Sequence, residues 1–548
     1  MSHWLRTLLG PCLGLCLGLA ALTALAAGAA AGPLVDPQWL ASHPKRSELL
    51  VLDASMPQQH AAGHIPGAVN ASAFLSAGRD LPPAAIERQL QGWGVSPGRK
   101  IVIYDEGGSW MATRLFLDLH YHGYPLADLY LLDGGLHRWK AAGQPVTREA
   151  TPPPAPGSFR VTRVLDGERV RLNEFLAATG DPARHAVVDA LEPPYYHGGA
   201  KFFDRAGHVP HALLWPSSDF FDPATKTFKS PEEIRRMMAH LGIRPEHTVH
   251  VYCGGGGAAA VPVFALRFLL GRDDVKLYNG SQREWLRDER GLPLWTYAAP
   301  QLLRRAPWLA SWGGAMMRMA GLSGLSVVDL RPAQAYAAGH VPFALSIPAE
   351  AFRAHARTPA KLAELLGTAG VDPRHEAVLV AEGGLSPDTA LAIWLLEQAG
   401  QHKVSLLLDS VDDWALAGFA VAKAPTVVGP RQTAQDLVVP AVSYPQRAPA
   451  PGRASLYPRV VVASGLQPPV VRPAAEGGSR LIHLPYTELL EPGGAPKAAK
   501  DLWSVLAKAG VPRYAEIVTV ADDPGEAAVS WFVLRLMGYA DVKLGQPD

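Results

Sequence analysis

One pattern recurs four times along this chain, and it constrains the fold more than any other feature, because each copy must build the same local unit. An apolar run ends in Asp, and a His-Ile/Val-Pro element follows. A second apolar run then leads into a glycine-containing loop, a helical stretch and a closing turn before Trp. In the first copy the parts are LLVLDAS with Asp53, GHIPGA with His64, KIVIYDEGGSWMATRLFLDL with Asp105 opening the loop, and YLLDGGLHRW ending at Trp139. The second has AVVDA with Asp189, GHVPHA with His208, TVHVYCGGGGAAAVPVFALRFL with Cys253, and KLYNGSQREW ending at Trp285. The third has SVVDLRP with Asp329, GHVPFA with His340, AVLVAEGGLSPDTALAIWLL with Ala381, and SLLLDSVDDW ending at Trp414. A worn fourth copy reads RVVVASG, LIHLPY with His483, EIVTVADDPGEAAVSWFVLRL with Ala521, and DVKL. The registers agree: Asp to motif His is 11 residues in copies one and three, and loop start to Trp is 34, 32 and 33. Copy two has 19 residues between Asp189 and His208, an insertion of 8.

Each copy alternates short β-rich runs with amphipathic helical stretches such as Ala112–His120 and Val261–Leu270. That order predicts an α/β fold in which every copy is a mainly parallel sheet with helices on both faces. In such open sheets ligands bind at the carboxyl ends of the strands. The loop at Cys253 lies at that end, directly after the predicted strand Thr248–Tyr252. At roughly 100–200 residues per domain, 548 residues make three or four domains. The copies place them at 33–150, 159–296, 322–424 and 456–548. Pro-rich Ala150–Ser158 reads as a semi-rigid linker, Thr296–Leu322 as a helical connector, and Lys423–Ser455 as the longest connection.

With 51 Lys+Arg against 50 Asp+Glu, the chain carries no general field to recruit nucleic acid or an anionic membrane, so a substrate anion needs a local site. Residues 1–27 read as an export signal. Arg6 gives the charged start, Leu8–Ala26 the apolar run, and Ala24-Leu25-Ala26 an A-x-A cleavage pattern. The apolar run is also about long enough for an uncleaved membrane anchor; no later stretch has spanning length. Either way the expected location is outside the cytoplasm, periplasmic or secreted. Cys12 and Cys16 lie inside that segment, so cleavage leaves Cys253 as a lone thiol, unable to form an internal disulfide.

These motifs resemble the rhodanese homology family. An inactive first copy followed by a cysteine-bearing second is similar to the tandem thiosulfate and 3-mercaptopyruvate sulfurtransferases, here extended to four rhodanese-like copies. The resemblance implies that Cys253 takes a sulfane sulfur from a small sulfur-containing anion, holds it as a persulfide, and passes it to a thiol or cyanide acceptor. It implies no cofactor. Attack requires thiolate, and an ordinary Cys, with a pKa of about 8.5, is mostly protonated at neutral pH. No charged side chain stands in Gly254, Gly255, Gly256, Gly257 and Ala258, so backbone N–H groups must supply the positive potential. Glycines allow the unusual φ values of an anion-binding nest, and a helix starting near Ala259 adds its dipole. A phosphate-binding P-loop would need Gly-Lys-Ser/Thr after the glycines, and a Cys-based phosphatase would need Arg six residues after the Cys, where Ala259 stands.

Asp105, Ala381 and Ala521 occupy the Cys position in the other copies and cannot carry a persulfide. In the family, cations between the second-domain Asp and its motif His hold the substrate anion, which points to His197, Lys201 and Arg205; the same residues also suit a solvated insertion. His64 is a further substrate-facing candidate, since in tandem members the first domain closes over the second-domain site. The motif histidines are otherwise read as structural and too dispersed for a metal site. The loop departs from both known types. Mercaptopyruvate-type loops resemble CGSGVTA, where this chain has Gly255 and Ala258 at the Ser and Thr positions, and thiosulfate-type loops carry basic side chains. The alternative to catalysis is a rhodanese-repeat scaffold or persulfide-sensing module, with copies three and four as a surface for a protein partner.

Overall fold

The apolar runs form strands buried on both faces. In Ile101–Tyr104 all four side chains are buried; Ile101 and Ile103 enter one apolar core, Val102 and Tyr104 another. A near-continuous apolar run whose alternate residues serve two cores is what a parallel strand covered by helices on both sides requires. The computed structural model describes residues 32–72, 80–430, 438–445, 454–468 and 480–545. The segment read as an export signal, with Cys12 and Cys16, lies outside the described residues.

Among the described residues four sheets follow one another, every strand pairing parallel. The first, in spatial order, is Leu34–Val35, Leu129–Leu132, Ile101–Tyr104, Leu50–Asp53, Val69–Asn70. The second repeats it with Arg169–Val170, Val275–Tyr278, Thr248–Tyr252, His185–Asp189, Leu213–Leu214, and the third with Leu303–Arg304, Lys403–Leu407, Glu376–Val380, Leu325–Asp329, Leu345–Ser346. The fourth has four strands, Arg480–His483, Arg459–Ala463, Glu516–Val520, Val542–Leu544. The third sheet thus takes its edge strand from Leu303–Arg304, and the helices Ala306–Gly313 and Ala315–Met319 follow before its next strand. The unit begins ahead of position 322, inside the stretch read as a connector. A two-residue strand carries too little periodicity to be seen in sequence.

The copies pack in two pairs. A single apolar core runs through copies one and two, and a second through copies three and four. In each pair the helices that follow the two equivalent loops lie against each other: Met111–Tyr121 on Ala260–Phe264, and Pro387–Gln398 on Pro524–Leu536. Phe116 meets Phe264 edge-to-face at 5.0 Å. Copy four then packs on copy two, where Asp219 pairs with Arg513 and accepts the Tyr514 hydroxyl at 2.7 Å, and Glu233 accepts the Tyr457 hydroxyl at 2.9 Å. Among the described residues no helix is long and apolar enough to cross a membrane.

In the first three copies the motif histidine closes its copy. His64, His208 and His340 pair as antiparallel bridges with Thr147, Trp295 and Ala422. The Nδ1 of each contacts a backbone carbonyl of the preceding helix, at His60, Tyr196 and Tyr336, within 2.9 Å. The repeated motif is a stitch between the two ends of a domain.

If the inner face of the first sheet is stable only through its neighbour, Phe116→Ala should cost about 3–5 kcal/mol, the price of a large aromatic cavity. Urea denaturation followed by tryptophan fluorescence measures it; a loss below about 1 kcal/mol would mean that the pair seam is not a true core.

Candidate active site

The strand Thr248–Tyr252 delivers Cys253 at its carboxyl end, and the helix Ala260–Phe264 begins seven residues later, continuing as a wider turn over Ala265–Leu269. Cys253 is 2% exposed. The Gly256 N–H donates to its Sγ at 3.1 Å. Gly256 has φ +81°, and a Cβ there would lie 2.7 Å from the Asn279 carbonyl and 3.1 Å from Arg114 Nη1. Conformation and space both demand glycine at this position. Gly254, Gly255 and Gly257 keep negative φ. The expected nest of successive inward amides is therefore reduced to one amide on the sulfur. Crowding explains two of the others: a Cβ at Gly257 would meet the Trp110 ring at 2.9 Å, and one at Gly254 the Phe202 ring at 3.1 Å.

The turn after the neighbouring strand grips the loop from the other side. Gln282 N–H donates to the Cys253 carbonyl at 2.9 Å and Arg283 N–H to that of Gly254 at 3.0 Å. The Cys253 N–H donates to Ser281 Oγ at 3.1 Å, and that hydroxyl lies 4.0 Å from Sγ. The Ser281 hydroxyl donates to the Tyr278 carbonyl at 2.9 Å. Above the loop, Phe202 stacks on Tyr195 at 4.2 Å with rings within 1° of parallel. Both belong to the stretch lengthened by the insertion in copy two.

The first copy reaches into this site. Arg114, from the helix Met111–Tyr121, donates through Nη1 to the Gly256 carbonyl at 2.8 Å and to Asn279 Oδ1 at 2.7 Å. Its Nε donates to Asp118 at 2.9 Å, Asp118 pairs with Arg169 at 2.7 Å, and Arg169 with Asp80 at 3.1 Å. Asn279 Nδ2 donates to Asp80 at 2.7 Å, which closes a ring of five side chains across the domain seam. Burial works against the Asp118 charge, yet Arg114 and Arg169 hold its carboxyl below the usual range.

The sister loops are built alike but filled differently. In copy one the buried Asp105 carboxylate accepts the Gly107 N–H at 2.8 Å and the Ala112 N–H at 2.9 Å, so a fixed side chain takes up the loop's own donors. Burial pushes that carboxyl up although both amides oppose it. In copy four, Asp523 caps the helix Pro524–Leu536 and pairs with Arg353 of copy three.

Of the four side chains proposed to face the substrate, none hydrogen-bonds to Cys253 or its loop. His64 is held inside copy one, with Nε2 3.3 Å from Thr151 Oγ1 and its ring stacked on His60. His197 is buried at the seam with copy four, stacked at 5.7 Å on Trp503 and 3.1 Å from the Thr296 carbonyl. Burial pushes its pKa down to about 4, so it is neutral near pH 7 and no anion-holding cation. Arg205 donates to the Leu292 carbonyl at 2.9 Å, and Lys201 stands exposed beside Phe202. Sequence reasoning missed Arg114 and Asn279. The signal was an arginine in the apolar run TRLFL, at a position where the other copies have Pro262, Ala390 and Ser530.

Two outcomes follow. His197 has an unfolded pKa of about 6.5, above its folded value, so the unfolded chain takes up a proton between pH 6.5 and about 4 that the folded chain refuses. Its share of stability, whole above pH 6.5, is lost as pH falls through that window, by up to about 1.4 kcal/mol per pH unit. Urea stability should therefore decline more steeply with acid in the natural chain than in His197→Phe, which keeps the stack; parallel slopes would refute the neutral, buried His197. Gly256→Ala keeps the N–H but forces the residue out of its φ and away from Asn279. It should pull the amide off the sulfur and slow Cys253 alkylation roughly tenfold at neutral pH, read by peptide mass spectrometry; a rate unchanged in a folded variant would mean that the placement of this amide does not matter to the thiolate.

The rhodanese-like domain family model matches residues 36–142, 172–288 and 314–417. A probable 3-mercaptopyruvate sulfurtransferase of Pseudomonas aeruginosa is 33% identical over 282 residues, covering 47% of this chain and 96% of that protein. The thiosulfate sulfurtransferase of the same organism is 30% identical over 266 residues, covering 46% and 93%. The sulfur carrier protein TtuD of Thermus thermophilus is 29% identical over 272 residues, covering 46% and 93%. Among solved structures, SseA from Escherichia coli, a 3-mercaptopyruvate sulfurtransferase, superposes with TM-score 0.40 at 25% identity, covering 46% of this chain and 98% of that one. With matches at three of its four repeats, which together make up more than half its length, this chain belongs to the rhodanese-like domain family.

Proposed function

We propose that the chain is a sulfurtransferase in which Cys253 carries a sulfane sulfur as a persulfide from a donor to a thiol or cyanide. The observation behind this reading is the contrast between equivalent loops: only the second offers a thiol at the strand end, with a backbone amide 3.1 Å from the sulfur. The names of the Pseudomonas aeruginosa relatives, mercaptopyruvate and thiosulfate sulfurtransferase, support the reaction class. In the first step the Cys253 thiolate attacks the sulfane sulfur of a donor R–S–S⁻. The donor S–S bond breaks, R–S⁻ leaves with the bonding pair, and Cys253–S–S⁻ forms. An acceptor thiolate then attacks the outer sulfur and Cys253 leaves as thiolate. No cofactor takes part. Small persulfides fit this scheme with a thiolate as leaving group and thiosulfate with sulfite. With mercaptopyruvate the Cys253 thiolate attacks the thiol sulfur, the C–S bond breaks, and pyruvate leaves as its enolate with the bonding pair and takes up a proton. The N-terminal pattern favours work outside the cytoplasm.

A second reading, a persulfide-sensing or binding module, draws on copies three and four. They form a pair with its own core and no thiol, more surface than transfer alone needs and a candidate seat for a protein partner. Incubating the full chain with thiosulfate, mercaptopyruvate or polysulfide and mapping peptides by mass separates the two. Transfer requires one added sulfur on Cys253 and release of sulfide or thiocyanate on adding thiol or cyanide. Cys253→Ser should abolish both; sulfur release that survives this substitution would sink the proposal, and loading without turnover would favour the sensing module.

A further inference from the structure

We propose that Arg114, supplied by the thiol-less first copy, is the positioning residue that keeps the Gly256 amide on the Cys253 sulfur, so that the reactive loop is shared between two domains. The inference rests on the reading of Cys253 as the nucleophile. Gly256 presents two groups: its N–H lies on Sγ at 3.1 Å, and its carbonyl accepts Arg114 Nη1 at 2.8 Å. Gly256 stands at φ +81° and has no side chain, so nothing of its own confines it to that conformation. A hydrogen bond from a guanidinium to its carbonyl removes that freedom, and such charge-assisted bonds are about twice as strong as neutral ones.

Arg114 itself is fixed. Its side chain is 1% exposed, and three acceptors surround it: the Gly256 carbonyl, Asn279 Oδ1 and Asp118. Asp118 and Asn279 are in turn held by Arg169 and Asp80. The ring contains two arginines and two aspartates, so its charges balance. Its contribution to the thiolate is then chiefly geometric: it aims an amide dipole. Lysine in place of Arg114 would keep the charge but could not span acceptors on both sides with a planar fork. Positions equivalent to Arg114 in the other copies hold Pro262, Ala390 and Ser530; only the domain facing the reactive loop carries the guanidinium.

The test is the pH profile of Cys253 alkylation by iodoacetamide in the full chain, read by peptide mass, for Arg114→Met, Arg114→Lys and Glu87→Gln. Glu87 lies in the same copy, accepts the Val161 N–H, pairs with Arg160 and touches neither the ring nor the loop. Both Arg114 variants should slow alkylation roughly tenfold at neutral pH, as Gly256→Ala does, with the loss shrinking as pH rises. Glu87→Gln should keep the natural profile. Circular dichroism checks that each variant is folded; if Arg114→Met fails to fold, Arg114→Lys decides. A folded Arg114→Lys with the natural profile would overturn the proposal and leave Arg114 as a seam residue. Because alkylation needs no sulfur donor, this outcome is distinct from a failure of sulfur loading, which would overturn the transferase reading instead.

Discussion

A parallel sheet with apolar residues on both faces must be covered on both, and the arrangement of this chain follows from that requirement. In each of the first three copies one face is covered by a small core around Trp139, Trp285 or Trp414. The other face is covered by the copy's own helices, among them the one that follows its loop, and those helices are buried in turn against the neighbouring copy. Pairing is therefore a burial requirement before it is a functional one. Its consequence is geometric: bringing those helices together also brings their N-terminal loops together, and a side chain on one helix can reach the loop that starts the other.

Copy one shows what the pairing is used for. Its own loop is satisfied internally by Asp105, whose carboxylate takes the Gly107 and Ala112 amides. The helix behind that loop turns Arg114 towards copy two, where it meets a carbonyl 142 residues away in sequence. The second loop thus gets rigidity from outside and stays free of charged side chains within. The second pair holds its loops by an ion pair instead, Arg353 with Asp523, and has no thiol to serve.

Much of the site was legible in the sequence because the signals are local. Cys253 follows an apolar strand of five residues, the four glycines follow Cys253, and three sister loops give the comparison; all of this lies within one strand–loop–helix unit. Which side chains of the copy-two insertion stand over the loop was not legible. His197, Lys201 and Arg205 sit at the expected distance along the chain, yet the insertion that carries them is folded partly against copy four, and it turns His197 onto Trp503. The residue it sets over the loop is Phe202, an aromatic with no special spacing. Linear distance in a loop does not determine which side chain turns inward when a second domain competes for it.

The sequence by itself determined the repeated α/β unit, the strand-end position of Cys253 and the lack of a thiol at Asp105, Ala381 and Ala521, since alternation of apolar runs and residue identity are properties of short segments. Only the tertiary structure decided that copies pair, that one amide rather than several faces the sulfur, and that Arg114 stands behind it. Those depend on contacts between segments far apart in the chain, formed when exposed sheet faces are buried, and no local pattern of residues encodes them.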